Sequence, residues 1–431
     1  MKRAAATTFL ILTFAASARE LPIVRPDRVD MSAERLARIT QLNQTYVDQD
    51  KLAGVLTMVA RDGKIVHVSV VGTRGATDET PLTEDALFRI YSMSKPITAV
   101  AAMILYEEGK FQLRDPVSRY IPELANLDVM IGGERVPAKN TMTMQHLLTH
   151  TAGFTYGFDP DDPVDRLFRE TDPLHARDLD EFIQRLASLP LKFEPGTHWH
   201  YSVAVDVTGA VVERISGQRF DVFLKNRLFD PLNMHDTFFN VPEQKMGRLL
   251  PNHRWDRDDA KLVTLDEAAQ TKTSATDYFV TGYKNTLMFS GGGGLVSTAR
   301  DYMRFAEMLR NGGELDGVRI LSPKTIEFMV TDHLPASVSA NAAGETPALD
   351  LAGRNRGFGF GLGFGVVTDV NSLGIIGSLG EYSWGGEAGT IFWVDPVEEI
   401  VTVSLIQLMG SPWALRSELK VLTNQAITEL K

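Results

Sequence analysis

Ser92 and Lys95 stand three residues apart in an S-x-x-K pattern whose residue types can perform nucleophilic catalysis. Pro96 follows directly and, because proline has no backbone N–H, it fits without penalty only in the first turn of a helix. We therefore expect Ser92 at the N-terminal edge of that helix, with Lys95 on the same face. A serine hydroxyl needs a base, and a lysine in a desolvated, cation-rich pocket can lose its proton near neutral pH. The helix N-terminus would also favour the negative charge that develops on an attacked carbonyl oxygen.

The chain contains a second S-x-x-K pattern, Ser417 to Lys420, so the pattern alone has low specificity. Ser92 is distinguished by its position, because it follows a β-like run, 86–90, and opens a helix with buried-face spacing over 97–105. The second copy falls in the middle of a predicted helix, off its apolar face, and we interpret it as solvated helix surface. The alternative for Ser92 is a simple N-cap serine followed by an exposed lysine.

Further segments with recognisable residue patterns accompany the Ser92 motif. In order, they are Leu147-Leu148-Thr149-His150-Thr151-Ala152-Gly153, His198-Trp199-His200-Tyr201-Ser202-Val203, Gly292-Gly293-Gly294-Leu295-Val296-Ser297-Thr298-Ala299 and Trp384-Gly385-Gly386. The ordered set closely resembles class C β-lactamases, D-amino acid peptidases and, most of all, the family VIII carboxylesterases. The resemblance covers roughly residues 30–430, and its specificity lies in the set rather than in any single member.

The resemblance implies catalytic roles for three residues. Ser92 would be acylated by the substrate, and Lys95 would accept or relay its proton. Tyr201 matches the tyrosine of the Y-x-N or Y-S-x motif of the family and would share the proton transfer. Without the resemblance, Tyr201 would be interpreted as a packed core tyrosine.

The resemblance also implies an oxyanion hole. The tripeptide Trp384, Gly385 and Gly386 falls where the lactamases carry K-T-G on the strand beside the nucleophile. The N–H groups of Ser92 and Glu387 would bind the oxyanion, and the glycines would permit close approach of substrate to backbone. The alternative for the tripeptide is an ordinary turn at a strand edge.

Two departures from the lactamase pattern indicate the sub-activity. Trp384 replaces the lysine of K-T-G, and Val203 replaces the asparagine of Y-x-N. Both changes make the pocket more apolar, which suits a neutral acyl ester better than an anionic lactam. We expect a serine carboxylesterase for short-chain acyl esters, with weak β-lactam hydrolysis. The alternatives are a class C-type β-lactamase, a D-amino acid peptidase, or a penicillin-binding or peptidoglycan-sensing module that is acylated without turnover.

Composition and missing motifs exclude several other classes. The 431 residues carry a formal net charge of -11 and include no cysteine, which argues against nucleic-acid binding and excludes thiol chemistry. No serine has glycine at both i-2 and i+2, so the G-x-S-x-G elbow is absent. The pairs His146/His150 and His198/His200 lack the H-E-x-x-H pattern. We therefore expect no metal and no cofactor, and a small-molecule ester as the binding partner. The oligomeric state is not predicted.

The order of predicted elements indicates an α/β fold of the α+β type. Strand signals at both ends of the chain enclose helical signals, which favours a β-lactamase-like antiparallel sheet flanked by helices and built from both termini. An inserted, mainly helical domain is expected over 116–285, the sheet domain over 19–115 and 286–431, and the active site between them.

The element bounds follow from hydrophobic spacing and turn signals. Helices are predicted over 31–52, near 299–311 and from Ser411-Pro412, a hairpin over 54–72, and β-like runs over 358–367, 374–377, 390–394 and 400–406. The run over 358–367, in which glycine alternates with apolar residues, is interpreted as one bent strand.

The N-terminus has the pattern of a secretory leader, expected over residues 1–18. Lys2 and Arg3 precede an uncharged run over 4–16, which ends in Ala16-Ser17-Ala18. We expect a periplasmic or secreted protein. No run of about 18 apolar residues occurs, so no integral membrane segment is predicted.

Overall fold

A computed structural model describes residues 20–265, 283–336, 338 and 357–431 of the chain. The predicted leader, residues 1–18, lies outside the described residues. Within them, no helix combines the length and the hydropathy that crossing a membrane requires.

The strands, in chain order, are β1 Gly54–Arg61, β2 Lys64–Gly75, β3 Asp78–Pro81, β4 Phe88–Arg89, β5 Asp128–Ile131, β6 Glu134–Pro137, β7 Asn252–Asp256, β8 Lys261–Leu265, β9 Val296–Ser297, β10 Glu314–Leu315, β11 Val318–Arg319, β12 Phe358–Phe360, β13 Gly365–Val367, β14 Tyr382–Gly385, β15 Ile391–Asp395, β16 Ile400–Leu405 and β17 Leu408–Met409.

The α-helices are α1 Ala33–Asp48, α2 Ser94–Glu107, α3 Met144–Leu148, α4 Pro163–Thr171, α5 Leu179–Ala187, α6 Ala204–Ser216, α7 Phe220–Leu224, α8 Ala299–Arg310, α9 Pro323–Met329, α10 Val370–Leu373 and α11 Leu415–Asn424. Shorter helical turns are Pro26–Val29, Tyr91–Met93, Val117–Arg119, Pro122–Leu124, Pro173–His175, Lys225–Phe229 and Glu243–Arg248.

The main sheet joins the two ends of the chain. In the described residues it has eight antiparallel strands in the order β12-β13-β14-β15-β16-β1-β2-β3, so β1 pairs with β16 from near the C-terminus. The predicted β-lactamase-like fold class is therefore confirmed. The helices α3 to α7 lie in the segment between the two groups of strands. The exact domain bounds at 115/116 and 285/286 stay a prediction.

The strand β1 is buried on both faces, because successive side chains point to opposite sides of the sheet. Val55 and Val59 pack in one cluster with α1 and α11. Leu56, Met58 and Ala60 pack in the other cluster with α2 and α8. The sheet is thus covered by helices on both faces, and α2, which follows Ser92, lies in the larger cluster.

Three of the predicted elements are wrong in detail. The run 358–367 is not one bent strand but a hairpin of β12 and β13, because the chain reverses through Gly363 at φ +89°. The run 374–377 is not a strand: Asp369 caps the short helix α10, which ends at Gly374 in the left-handed conformation. The last helix begins at Leu415 rather than at Ser411-Pro412.

Other elements follow their sequence signals. The helix predicted over 31–52 is the shorter α1, whose N-cap Ser32 accepts the N–H of Arg35. The helix near 299–311 is α8, capped by Thr298. The hairpin of β1 and β2 turns at Asp62 and Gly63, both with positive φ, as an Asp-Gly turn requires.

A buried arginine connects segments from both ends of the chain. The Arg61 side chain is 0% exposed and donates to Glu398 Oε2 at 2.8 Å and to the Glu398 carbonyl at 3.0 Å. It also donates to the carbonyl groups of Val29, Asp30 and Glu429. One guanidinium thus satisfies a buried carboxylate and four carbonyl groups.

We predict that Arg61→Met lowers the free energy of unfolding by about 3–5 kcal/mol, because it leaves a buried carboxylate without its partner. Urea denaturation measures the change. Arg25→Met is the matched control, since Arg25 and Asp27 form an ion pair with both side chains more than half exposed. The control is expected to change stability by less than about 0.5 kcal/mol. Equal effects of the two substitutions would contradict this account.

Candidate active site

Ser92 lies in the short helical turn Tyr91–Met93, directly before α2. Tyr91 has a φ of +46°, a left-handed conformation that is costly for a residue with a bulky side chain. Surrounding contacts hold this conformation, since the buried Tyr91 hydroxyl is hydrogen-bonded to the side-chain amide of Asn252. The structure therefore places Ser92 at the edge of a buried helix, on a turn with stored strain.

The Lys95 amine is enclosed by three oxygen atoms. Its Nζ lies 3.2 Å from Ser92 Oγ, 2.9 Å from the Tyr156 hydroxyl and 2.7 Å from the carbonyl oxygen of Gly292. The residue is 1% exposed. Burial lowers the pKa of Lys95 to about 7, although the Asp206 carboxylate acts in the opposite direction. A neutral amine within reach of a serine hydroxyl is the arrangement that general-base activation requires.

Tyr201 also lies close to the amine. The Lys95 Nζ is 4.5 Å from the centre of the Tyr201 ring. The Tyr201 hydroxyl is buried and has no hydrogen-bond partner within the described part of the chain. Burial raises the pKa of Tyr201, although the polar side-chain groups of Ser92 and Trp384 near the hydroxyl act in the opposite direction. The three residues predicted for catalysis, Ser92, Lys95 and Tyr201, thus lie together, while their roles stay a prediction.

The tripeptide Trp384 to Gly386 lies at the end of β14, beside the turn that contains Ser92. A Cβ atom at Gly386 would overlap the carbonyl oxygen of Ile90, so only glycine allows this approach. The Gly386 N–H donates to the Thr390 carbonyl at 2.8 Å and is used in the turn to β15. This leaves the next N–H, that of Glu387, as the predicted partner of the Ser92 N–H in an oxyanion hole.

Gly385 belongs to β14, where a Cβ atom would meet the guanidinium of Arg416 at 3.0 Å. The Arg416 guanidinium donates to the carbonyl groups of Gly386 and Thr390. Arg416 therefore ties α11 to the turn that carries the predicted oxyanion donor.

An aromatic cluster surrounds Tyr201. Its members are His150, Trp199, Tyr201, Phe360 and Trp384, with ring centres 4.8–6.4 Å apart in the contacting pairs. Burial holds the pKa of His150 well below its usual value, and the charge of Lys95 adds a smaller decrease. This imidazole is therefore neutral. Apart from the oxygen atoms that contact it, the amine therefore has uncharged aromatic rings around it.

The four histidines with suggestive spacing do not converge on one site. His146 Nδ1 accepts the N–H of Thr143 in a capping box. His150 belongs to the aromatic cluster, whereas His200 is buried near Phe193 and His198 also contacts the Phe193 ring. The described residues contain no group of three or more acidic or imidazole side chains that could hold a metal ion.

The second S-x-x-K pattern differs from its predicted structure. Ser417 is partly exposed and donates to the Ala414 carbonyl, but Lys420 is buried, forms an ion pair with Glu381 and lies 5.3 Å from the Trp393 ring centre. The interpretation of Lys420 as solvated surface was wrong. The sequence spacing gave no sign of the acidic partner, which comes from the segment before β14. The lysine does not face its serine.

Two residues of the site were missed at the sequence level. The Tyr156 hydroxyl contacts Lys95 and donates to Asp206 Oδ2 at 3.1 Å. Tyr156 lies three positions after the segment Leu147 to Gly153, and the residue pattern of that segment assigned no role to it. Asp206 did carry a signal, because it is a single acid within the apolar run 203–212 of a predicted helical region.

Comparisons with known proteins identify the family of the chain. A family profile described as Beta-lactamase matches residues 39–425. The chain belongs to the beta-lactamase family. It is 35% identical to Protein Rv1367c of Mycobacterium tuberculosis over 84% of this chain and 87% of that protein. It is 31% identical to Esterase EstB of Burkholderia gladioli over 84% of this chain and 88% of that protein.

A solved structure is similar over nearly the whole chain. It is described as EstCE1, a hydrolase with promiscuous acyltransferase activity, and has a TM-score of 0.74 and 26% identity over 92% of this chain and 99% of that one. The predicted resemblance to the esterase branch of this family is confirmed. The prediction of an enzyme, a serine hydrolase, is confirmed at the family level.

We predict that kcat/KM for an activated ester rises with pH and levels off above an apparent pKa near 7. Lys95 is an ammonium ion below that pH and cannot accept a proton, whereas above it the free amine prevails. A pH–rate profile measures this.

Lys420 is the necessary control, because burial also lowers its pKa to about 7. The paired variant Glu381→Gln/Lys420→Met removes that titration and should keep the profile. A flat pH profile in the wild type would exclude Lys95 as the base. A pH dependence that disappears in the paired variant would also exclude it.

Proposed function

We propose that the protein is a carboxylesterase that hydrolyses short-chain, uncharged acyl esters through an acyl-enzyme on Ser92. One observation carries the proposal: the Lys95 amine, whose pKa burial lowers to about 7, lies 3.2 Å from Ser92 Oγ. The names of two relatives, an esterase and a hydrolase, support ester substrates.

The first half-reaction is acylation. Ser92 Oγ attacks the ester carbonyl carbon while its proton passes to the Lys95 amine. The negative charge on the carbonyl oxygen would be bound by the N–H groups of Ser92 and Glu387. When the bond to the alcohol breaks, a proton returns to the leaving oxygen from the Lys95 ammonium, directly or through the Tyr201 hydroxyl. The products are the alcohol and the acyl-enzyme.

The second half-reaction is hydrolysis of the acyl-enzyme. Water attacks the acyl carbon and its proton passes to Lys95, now again a neutral amine. The tetrahedral intermediate breaks at the bond to Ser92 Oγ, which recovers the proton. The carboxylic acid leaves and the enzyme returns to its starting state, so no cofactor is consumed.

The charge distribution around Tyr201 favours uncharged substrates. Trp384 and Val203 stand where the lactamases have cationic and amide groups, and both are buried. The carboxyl group of Glu387 acts electrostatically on the Tyr201 hydroxyl, while burial raises its own pKa despite the nearby Arg416. A substrate carboxylate would meet an acidic group here instead of a lysine. We therefore propose weak β-lactam hydrolysis at most.

We expect hydrolysis of p-nitrophenyl butyrate with many turnovers, at a rate far above that of nitrocefin, both measured by absorbance. Ser92→Ala should lower the ester rate by at least about 10³-fold, because the nucleophile is lost. Ser417→Ala, in the second S-x-x-K pattern, is the matched control and should retain the full rate.

Each other outcome would indicate a different class of protein. Faster turnover of nitrocefin than of the ester indicates a β-lactamase, and preferred release of D-amino acids from peptides indicates a peptidase. One stoichiometric burst without turnover indicates a penicillin-binding or sensing module. A Ser92→Ala variant with a near-normal ester rate would exclude every mechanism on Ser92.

A further inference from the structure

The hydrogen-bonding capacity of the Lys95 amine defines where its lone pair can point. A neutral primary amine has two N–H bonds and one lone pair, arranged tetrahedrally. Its three neighbours are Ser92 Oγ, the Tyr156 hydroxyl and the Gly292 carbonyl oxygen. A carbonyl oxygen can only accept, so one N–H is committed to Gly292. The lone pair faces either Ser92 or Tyr156, depending on where the proton of the Tyr156 hydroxyl points.

Asp206 fixes the direction of that proton. Its Oδ2 lies 3.1 Å from the Tyr156 hydroxyl, and Oδ1 accepts the N–H of Gly292 at 3.0 Å and the hydroxyl of Ser290. Burial raises the pKa of Asp206, but the three donors Ser290, Gly292 and Tyr156 favour the ionised form, as does Lys95 once it is protonated. A carboxylate has no proton to donate. Tyr156 must therefore donate to Asp206, and its oxygen presents a lone pair to Lys95.

We propose that Asp206 and Tyr156 are positioning residues that aim the lone pair of Lys95 at Ser92. The two N–H bonds of the neutral amine go to Gly292 and Tyr156, and the remaining position, the lone pair, faces the Ser92 hydroxyl. This inference rests on the proposed function, in which Lys95 is the base for Ser92.

The proton transfer then needs no rearrangement. The proton of Ser92 moves to the lone pair of Lys95 and becomes the third N–H of an ammonium ion. The bonds to Gly292 and Tyr156 stay as they are, and no proton moves to Tyr156 or Asp206. The new positive charge forms close to the Asp206 carboxylate, which stabilises it through the electrostatic interaction that also raises the pKa of Lys95.

The packing around Gly292 shows that the arrangement is closely fitted. A Cβ atom at Gly292 would overlap Asp206 Oδ2 and lie 2.6 Å from the Tyr156 hydroxyl. The absence of a side chain there lets one residue give its carbonyl oxygen to Lys95 and its N–H to Asp206. A single backbone unit thus fixes both the amine and the carboxylate.

Asp206→Asn tests the proposal by reversing one hydrogen bond. With Oδ1 still accepting from Gly292 and Ser290, the amide N–H₂ takes the place of Oδ2 and donates to Tyr156. The Tyr156 hydroxyl must then donate to Lys95 and occupy the lone pair. We expect kcat for p-nitrophenyl butyrate to fall by about 10²–10⁴-fold, the range of a lost general base.

Tyr156→Phe supplies the decisive comparison. Alone, it removes one acceptor and leaves the lone pair unoccupied, so we expect a smaller loss in kcat, about tenfold. Added to Asp206→Asn, it removes the competing donor and should raise kcat at least about tenfold above that of Asp206→Asn. A purely structural role for either residue predicts that the paired variant is as slow as Asp206→Asn or slower, and that result would overturn the proposal.

Asp165→Asn is the matched control. Asp165 is likewise fully buried and accepts from Thr155, the neighbour of Tyr156, and from Lys192. Its replacement disturbs a nearby carboxylate without touching the Lys95 amine. Adding Tyr156→Phe to Asp165→Asn should therefore lower kcat, whereas an increase would show that the rescue is not specific to Asp206.

Folding of each variant is checked by circular dichroism and thermal unfolding. If Asp206→Asn does not fold, Tyr156→Phe alone decides, because an unchanged kcat would exclude an aiming role for its hydroxyl. The residual rate of Ser92→Ala is subtracted from every measured rate. If Ser92→Ala abolishes nothing, the proposed function fails, and that result is distinct from a missing rescue.

Discussion

The withdrawal of the Lys95 amine from water is the constraint on which the rest of the site depends. An amine in water is protonated at neutral pH, and only burial brings its pKa down to about 7. That burial requires α2 to be packed on all sides from Ser94 to Leu105, between the main sheet and the helices of the inserted segment. The large sheet and its covering helices therefore serve the chemistry by excluding water from one nitrogen atom.

Burial alone would not fix the direction in which the lone pair of the Lys95 amine points. The polar atoms around Lys95 form a small set with defined donor and acceptor roles, comprising the Gly292 carbonyl, the Tyr156 hydroxyl and, behind it, the Asp206 carboxylate. The remainder of the wall is aromatic. A low dielectric strengthens each of these few hydrogen bonds and makes an unsatisfied one costly. The site combines desolvation, which sets the pKa, with a short polar chain, which sets the geometry.

The predicted nucleophile and base, Ser92 and Lys95, lie within hydrogen-bond distance, whereas Trp384 stands where the lactamases that the sequence resembles carry a cationic group. Trp384 belongs to the aromatic cluster, and Glu387 adds an acidic group beside it. The family relation thus explains the fold, whereas the proposed substrate class depends on a few side chains at the end of β14.

Local patterns predicted the parts of the structure that local forces determine. Pro96 placed Ser92 and Lys95 at the start of α2, and the Asp-Gly turn placed the hairpin of β1 and β2. Tyr156 was beyond such reasoning, because its partner Lys95 lies 61 positions away and no spacing rule connects them.

Local sequence patterns also could not predict the tertiary contacts of individual charged side chains. Lys420 appeared solvated on its helix, and only the tertiary fold brings Glu381 and Trp393 against it. The run over 358–367 suggested one strand because alternation alone does not show where glycines let a chain reverse. Sequence patterns could indicate a candidate nucleophile and base, but not the long-range contacts that surround them.

The most direct test of the central claim is the rate of covalent labelling of Ser92 by a p-nitrophenyl phosphonate, followed by peptide mass spectrometry. The wild type should carry the phosphonyl group on the peptide containing Ser92, and Lys95→Met should slow labelling by about 10²–10⁴-fold. A label on another residue, or equal rates in both proteins, would contradict the account of a buried neutral lysine that activates Ser92.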